Sequence, residues 1–421
     1  MSEKIPKGWK WVKLGEVAKY HFSTNKEEKL NKLVLKNLAK LNFWRVKGMS
    51  EWKEVKLKTI CSDISYGYTA SASKEKVGPK FLRITDITSG KINWDTVPYC
   101  RISEKDYHKY KLSIGDIVIA RTGTLGSSAI IKNDIDAVFA SYLIRFRIDE
   151  KLADPFFISY VLQSQDFKEY VNAVNSGSVQ PGTNARQLGD YELPLPPLPE
   201  QKAIAEVLSS IDDKIDLLHR QNKTLEEMAM TLFRQWFIEP TKDGLPEGWE
   251  EVSLGEFFPV ITGKKDANFA TDDGSYPFFT CSQKPLKAPS YSFDGNAILL
   301  AGNGDFNIKR YKGKFEAYQR TYVLIPYNSE YFNFLYLLMK FNLDEITRSF
   351  KGSVINYITK DMITNFKFSL PKDRPSIKDK LLYFDRIYDK VDANTSQIQT
   401  LDKLRDTLLP KLMSRELRVK V

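Results

Sequence analysis

At 421 residues the chain has room for two or three ordinary domains, and its 42% apolar and 13% aromatic content excludes wholesale disorder. Lys and Arg exceed Asp and Glu by 63 to 53, giving a net charge of +10 and a pI near 9.1. Such a surplus draws polyanions, nucleic acid above all, without specifying a fold. Cys61, Cys100 and Cys281 are odd in number and lack CxxC spacing, which argues against a disulfide framework and reads as reduced thiols of a cytoplasmic protein. Residues 1–8 lack the apolar core of a signal peptide, and the most apolar run, residues 331–341, is too short to span a bilayer. The expectation is a soluble protein with no membrane partner.

Residues 1–48 come first, as an extension. Ile5-Pro6-Lys7-Gly8-Trp9 and Val12-Lys13-Leu14-Gly15-Glu16 match Leu245-Pro246-Glu247-Gly248-Trp249 and Val252-Ser253-Leu254-Gly255-Glu256, yet a full domain begins again at Met49-Ser50-Glu51-Trp52. The extension resembles the opening of a domain that was never completed. It ends in a capping box from Thr24 to Glu27 and an amphipathic helix bearing Leu30, Leu33, Val34, Leu38 and Leu41. Recombinational debris that packs somewhere and an ordered helix are both open readings.

Residues 49–198 read as a mixed domain, with β-branched runs over 81–84 and 117–120 between turn residues and a helical stretch over 154–174. Pro194, Pro196, Pro197 and Pro199 force an extended approach to a long helix over 199–239. Residues 240–374 hold a loop and a second mixed domain, with strands over 297–300 and 321–325 and a helix over 331–346. Pro371 and Pro375, with Ser376 and Asp379 spaced as a capping box, lead into a second helix and tail over 375–421.

The chain is written twice. Trp52-Lys53-Glu54-Val55-Lys56-Leu57 recurs as Trp249-Glu250-Glu251-Val252-Ser253-Leu254. Gly115-Asp116-Ile117-Val118-Ile119-Ala120 recurs as Gly295-Asn296-Ala297-Ile298-Leu299-Leu300, and Gly177-Ser178-Val179 as Gly352-Ser353-Val354. Ile211-Asp212-Asp213-Lys214-Ile215-Asp216 recurs as Ile387-Tyr388-Asp389-Lys390-Val391-Asp392. Four matches in one order mean duplication.

In the first helix Ile204, Leu208, Ile211, Ile215, Leu218, Asn222, Leu225, Ala229, Leu232 and Trp236 alternate by four and three, the spacing of a coiled coil. The second helix places Phe384, Ile387, Val391, Asn394, Ile398, Leu401, Arg405, Leu408 and Leu412 on the same stripe. The predicted fold class is α+β: two mixed domains separated by two long helices that form an antiparallel coiled coil about a pseudo-two-fold internal repeat. The first helix would span roughly 50 Å at its ordinary rise. Asn222 and Asn394, polar on an apolar seam, satisfy each other if set opposite, which selects one register. That register puts Arg405 against Ile211, and Pro410 is expected to end or kink the second helix before Leu412.

Leu193-Pro194-Leu195-Pro196-Pro197-Leu198-Pro199-Glu200-Gln201-Lys202-Ala203-Ile204-Ala205, running into Ile211-Asp212-Asp213-Lys214-Ile215, resembles the conserved segment closing the first target-recognition domain of type I restriction-modification specificity subunits. The Gly115-Asp116-Ile117-Val118 motif, the Arg83-Ile84-Thr85-Asp86-Ile87 run and Gly177-Ser178-Val179-Gln180 are similar to elements within such domains. The resemblance covers roughly residues 50–417. It implies a non-catalytic subunit whose two domains each read half of a split, asymmetric site in double-stranded DNA. It also implies partners: two methyltransferase subunits on the helical regions, and restriction and translocase subunits in the full complex. S-adenosylmethionine is expected on the methyltransferase subunits, with no cofactor on this chain.

The residues agree with that absence of chemistry. The sequence has no Asn/Asp-Pro-Pro-Tyr/Phe motif of an adenine methyltransferase and no Walker A loop. His21, His108 and His219 are too few and scattered for a metal or nucleophile site, and Asp86 reads as a turn-capping residue. A specificity subunit of a related bipartite type II system remains an alternative, as does a coiled-coil adaptor that reads no DNA.

Base edges are read by Arg, Lys, Asn, Gln, Ser and Thr, and phosphates are held by cations and amides. In or beside glycine-marked turns, the candidate DNA contacts of the first domain are Tyr66, Tyr68, Arg83, Arg121, Thr122, Thr124, Gln180, Asn184 and Arg186. Those of the second are Lys264, Lys265, Ser282, Gln283, Asn303, Asn307, Lys309, Arg310 and Asn356.

Overall fold

A computed structural model describes residues 10–12, 43–45, 52–88, 90–175, 182–304, 306–348, 358–414 and 416–419. The helix expected to carry Leu30 to Leu41, and the segments bearing Gln180 and Asn356, lie outside the described residues. The chain divides into two compact units, residues 1–216 with 397–421, and residues 217–396. From the extension, Lys10–Val12 pairs antiparallel with Phe43–Arg45, which pairs in turn with Leu417–Val419.

In the first unit the strand Lys53–Lys56 pairs antiparallel with Glu192–Leu195, Val55 opposite Leu193, so the chain enters and leaves the body side by side. A four-stranded antiparallel sheet runs Cys61–Tyr66, Leu143–Ile148, Ile117–Ala120, Ser128–Ile130. All four residues of Ile117–Ala120 are buried, as an unbroken apolar run requires. A second pair, Lys80–Leu82 with Ala137–Phe139, is parallel. The helix expected over 154–174 is two helices, Pro155–Val161 and Gln165–Asn175. Asp154 caps the first, accepting from Phe157 N–H at 2.9 Å, and Ser164 restarts the chain, its hydroxyl accepting from Phe167 N–H at 3.3 Å.

The second unit repeats the plan. Trp249–Ser253 pairs antiparallel with Lys367–Pro371, Val252 opposite Phe368. Its six-stranded sheet runs Val260–Thr262, Thr321–Leu324, Phe293–Ala301, Ile308–Ala317, Tyr276–Phe279, Leu286–Ala288. The helix expected over 331–346 breaks at Asn342, whose side chain donates to the Leu338 carbonyl at 2.9 Å; Phe332–Phe341 precedes it and Leu343–Arg348 follows.

Two 36-residue helices, Leu198–Phe233 and Lys378–Met413, carry the heptad stripe. In the second unit they run antiparallel, with Asn222 against Asn394 and the Trp236 ring 5.9 Å from that of Tyr383. Burial past Ala229 passes to Phe233 and Phe237 rather than to Leu232 and Trp236, which are half-buried. A π-helical turn follows at Arg234–Ile238. In the second helix Leu404 is buried where Arg405 was expected on the seam. Arg405 instead donates from Nη1 to Asp212 Oδ1 at 3.1 Å, and Asp212 also accepts from the Tyr160 hydroxyl at 2.7 Å. Pro410 does not end the helix, which continues to Met413 and closes with Ser414 N–H on the Pro410 carbonyl. The Ser376 hydroxyl serves a turn over Arg374–Ile377 by donating to the Asp373 carbonyl at 2.6 Å.

The duplicated Ile-x-Asp-Lys-x-Asp motif ties each body to its own helix segment. In the first unit Lys132 meets Asp213 at 3.6 Å and Lys91 meets Asp216 at 2.7 Å. In the second, Lys312 meets Asp389 at 2.8 Å and Arg310 meets Asp392 at 2.6 Å. Equivalent carboxylates do equivalent work.

Candidate nucleic-acid interface

Strand directions gather the turn residues of the first unit at one edge. Tyr66 pairs with Ile144 and Ala120 with Leu143, so the turns after 66 and 120 and the turn before 143 lie together. Lys80–Leu82 and Ala137–Phe139, being parallel, deliver Arg83 and Ala140 to the same end. There the Arg121 guanidinium lies over the Tyr66 ring at 5.0 Å. The Tyr66 oxygen accepts from Ala185 N–H at 3.0 Å, which brings in Asn184. Asn184 caps the helix Ala185–Gly189, accepting from Gln187 N–H at 2.9 Å. Thr122 and Thr124 sit in the turn after Arg121, and Arg186 is almost fully exposed. Tyr68 packs its ring 5.3 Å from that of Tyr110. Arg83 reaches the edge but closes on Asp86 through Nε at 3.0 Å and Nη2 at 2.9 Å. Asp86 is thus a turn cap, accepting from Arg83 N–H as well.

The second unit gathers Lys264, Lys265, Ser282, Asn303, Asn307 and Lys309. Asn307 Nδ2 donates to the Cys281 carbonyl at 2.7 Å, Cys281 Sγ to Asn303 Oδ1 at 3.0 Å, and Lys309 Nζ to the Thr280 carbonyl at 3.4 Å. Burial lowers the Lys309 ammonium from its ordinary range, opposed in part by Cys281. Ser282 donates to the Lys284 carbonyl at 2.7 Å, and Gln283 beside it is exposed. Arg310 does not join them. Strand alternation turns it to the face opposite Lys309, where Nη1 and Nη2 grip Asp392 at 2.6 and 3.0 Å and the guanidinium lies 4.4 Å from the Tyr388 ring centre.

A common backbone frame supports both edges. Gly67 N–H donates to the Leu143 carbonyl and Gly263 N–H to that of Thr321. A Cβ on Gly67 would stand 2.2 Å from the Ala140 oxygen, and one on Gly263 2.2 Å from the Tyr318 oxygen, so only glycine fits either place. Sequence reasoning missed two residues in this frame, Tyr142 and Arg320, each exposed between a buried strand and the next. The available signal was an alignment of Phe139-Ala140-Ser141-Tyr142-Leu143 with Ala317-Tyr318-Gln319-Arg320-Thr321. Among the described residues no group of His, Cys, Asp and Glu could hold a metal ion, and no helix is long and apolar enough to cross a membrane.

Two mixed bodies built on one frame, each joined to a long helix of an antiparallel pair, define an internally duplicated recognition scaffold. The family model described as "Type I restriction modification DNA specificity domain" matches residues 6–227 and 246–402, and the chain belongs to that family. It is 44% identical to the type I restriction enzyme EcoDI specificity subunit of Escherichia coli, over 41% of this chain and 39% of that one. It is 27% identical to the MjaIX specificity subunit of Methanocaldococcus jannaschii, over 88% of this chain and 94% of the relative. The crystal structure of a type I restriction-modification S subunit from M. genitalium shares the fold, with TM-score 0.60, 18% identity, and coverage of 87% of this chain and 97% of that one.

Proposed function

We propose that this protein is the sequence-specific DNA-binding subunit of a type I restriction-modification enzyme, each unit reading one half of a bipartite, asymmetric site. It works in the cytoplasm. The chain performs no chemistry; it directs two methyltransferase subunits, which carry S-adenosylmethionine, and the restriction subunits to that site. The observation that carries this reading is the duplicated edge: one backbone frame, two different sets of polar and basic side chains. Identical frames suit two stretches of the same duplex, and different side chains suit different half-sites. A surplus of ten positive charges favours the phosphates of either.

The candidate contacts at these edges are Tyr66, Tyr68, Arg121, Thr122, Thr124, Asn184 and Arg186 in the first unit. In the second they are Lys264, Lys265, Ser282, Gln283, Asn303, Asn307 and Lys309. The test is to assemble the chain with its methyltransferase subunits and map methyladenine across a genome, before and after exchanging residues 52–198 for those of another family member. One half of the methylated motif is expected to change. A change in both halves, or methylation with no motif, contradicts independent readout.

A further inference from the structure

Five backbone hydrogen bonds are repeated between the two recognition edges. Leu143 N–H donates to the Ala140 carbonyl at 2.9 Å, and Thr321 N–H to that of Tyr318 at 2.8 Å, closing the same four-residue turn in each unit. Arg121 N–H donates to the Tyr142 carbonyl at 3.1 Å, and Gly302 N–H to that of Arg320 at 2.8 Å. Gly67 and Gly263 bind the last residue of the turn, Leu143 and Thr321, and Tyr68 and Lys264 the residue before the turn, Phe139 and Ala317. Thr183 N–H reaches the Arg121 carbonyl as Ile358 N–H reaches that of Gly302. The third residue of the turn is therefore held through its own carbonyl and through the bonded residues on either side of it.

Its side chain is not fixed. Tyr142 is 60% exposed and Arg320 is exposed, and neither side chain has a hydrogen-bond or ionic partner among the described residues. Their neighbours are otherwise engaged: Arg121 with Tyr66, Asn184 as a helix cap, Asn303 with Cys281, Asn307 and Lys309 with the carbonyls of residues 281 and 280. A side chain whose hydrogen-bonding groups are unengaged, carried on a held backbone, is available to a base edge.

We propose that this turn position reads a base in each half-site, Arg320 by paired hydrogen bonds to O6 and N7 of a guanine and Tyr142 as its counterpart in the first half. The proposal rests on the DNA-reading function above. Phosphates are alike in both half-sites, so a phosphate-holding position gains from a cation in each copy. This position holds a cation in one copy and a phenol in the other, on an unchanged frame, as a base-reading position does.

The test uses the full complex with its methyltransferase subunits, carrying Arg320→Ala, Arg320→Lys or Arg320→Gln. Methylated motifs are mapped, and binding is competed with duplexes varied at each position of the second half-site. Arg320→Ala is expected to lower discrimination roughly 10- to 100-fold at one guanine and leave the first half-site intact. Arg320→Lys, which keeps the charge, fails to restore full discrimination, and Arg320→Gln moves the preference there toward adenine. Tyr142→Ala alters one position of the first half-site alone. Arg320→Ala with wild-type preference at every position overturns the proposal. So does even weakening on all duplexes that Arg320→Lys repairs, the mark of a phosphate contact. A wild-type complex with no motif preference sinks the DNA-reading function itself.

Discussion

Asn394 Nδ2 donates to Asn222 Oδ1 at 2.9 Å, two amides facing across an apolar seam. Asn394 is 1% exposed, and Asn222 returns its own amide protons to Thr395 Oγ1 at 3.2 Å. Removing one partner strands a buried amide. Asn222→Ala, which takes the acceptor from the buried Asn394 amide, is expected to cost about 1–3 kcal/mol, whereas leucine at both positions leaves stability nearly unchanged or raises it. Denaturant midpoints of the two single variants and the double variant check this; a double-variant loss equal to the sum of the two single losses would show that the pair carries no mutual term.

Arg310 belongs to the fold of the second unit. Its side chain is 10% exposed and holds Asp392, itself 40% exposed, through two hydrogen bonds. Arg310→Ala is expected to lower stability by about 2 kcal/mol, with the exposure of Asp392 limiting the loss. At a temperature where the variant is folded, its methylated motif should match that of the wild type. A motif altered at one position would return Arg310 to the set of base contacts.

Glycine at 67 is a steric requirement. A methyl group there meets the Ala140 and Phe139 carbonyl oxygens at 2.2 and 2.4 Å, and backbone cannot yield as a side-chain tip does. Gly67→Ala is expected to cost about 1–3 kcal/mol and to displace the turn that carries Tyr142. Hydrogen exchange should rise at the Tyr68 and Leu143 amides and stay unchanged over 260–325. Uniform protection in both units would show that the frame tolerates the methyl group.

Burial pushes the Cys61 thiol up to about 12, with Asp63 adding to the effect, and the Cys100 thiol up to about 11. Cys100 is fully buried, and Cys61 donates to the Leu57 carbonyl at 3.1 Å. Both hold their protons when an unfolded thiol, near 8.5, has begun to lose its own. Stability is therefore untouched by these groups below about pH 8.5 and falls as pH rises from there toward 11–12. At pH 8 iodoacetamide should label Cys61 and Cys100 at least about tenfold more slowly in the folded chain than in urea. Equal rates would show that these thiols are accessible and ionised.

The duplication, the proline joints and the heptad stripe were legible in the sequence because each is a local or periodic property. Ile117–Ala120 could be read as a strand because four apolar β-formers between turns have few other uses, and Asn222 with Asn394 because an amide on a seam needs an amide. Other features depended on residues far away in the chain. Alternation says that Lys309 and Arg310 face opposite ways, but only the register of Ile308–Ala317 against Phe293–Ala301, and the helix beneath, decides which one meets Asp392. The heptad count could not foresee that Phe233 and Phe237 are buried in place of Leu232 and Trp236, because the partners of those rings, Phe334 and Phe384, come from separate helices. Tyr142 and Arg320 look like any turn residue until strands distant in sequence close the same frame around both, since a side chain's freedom is set by what its neighbours in space have already bound.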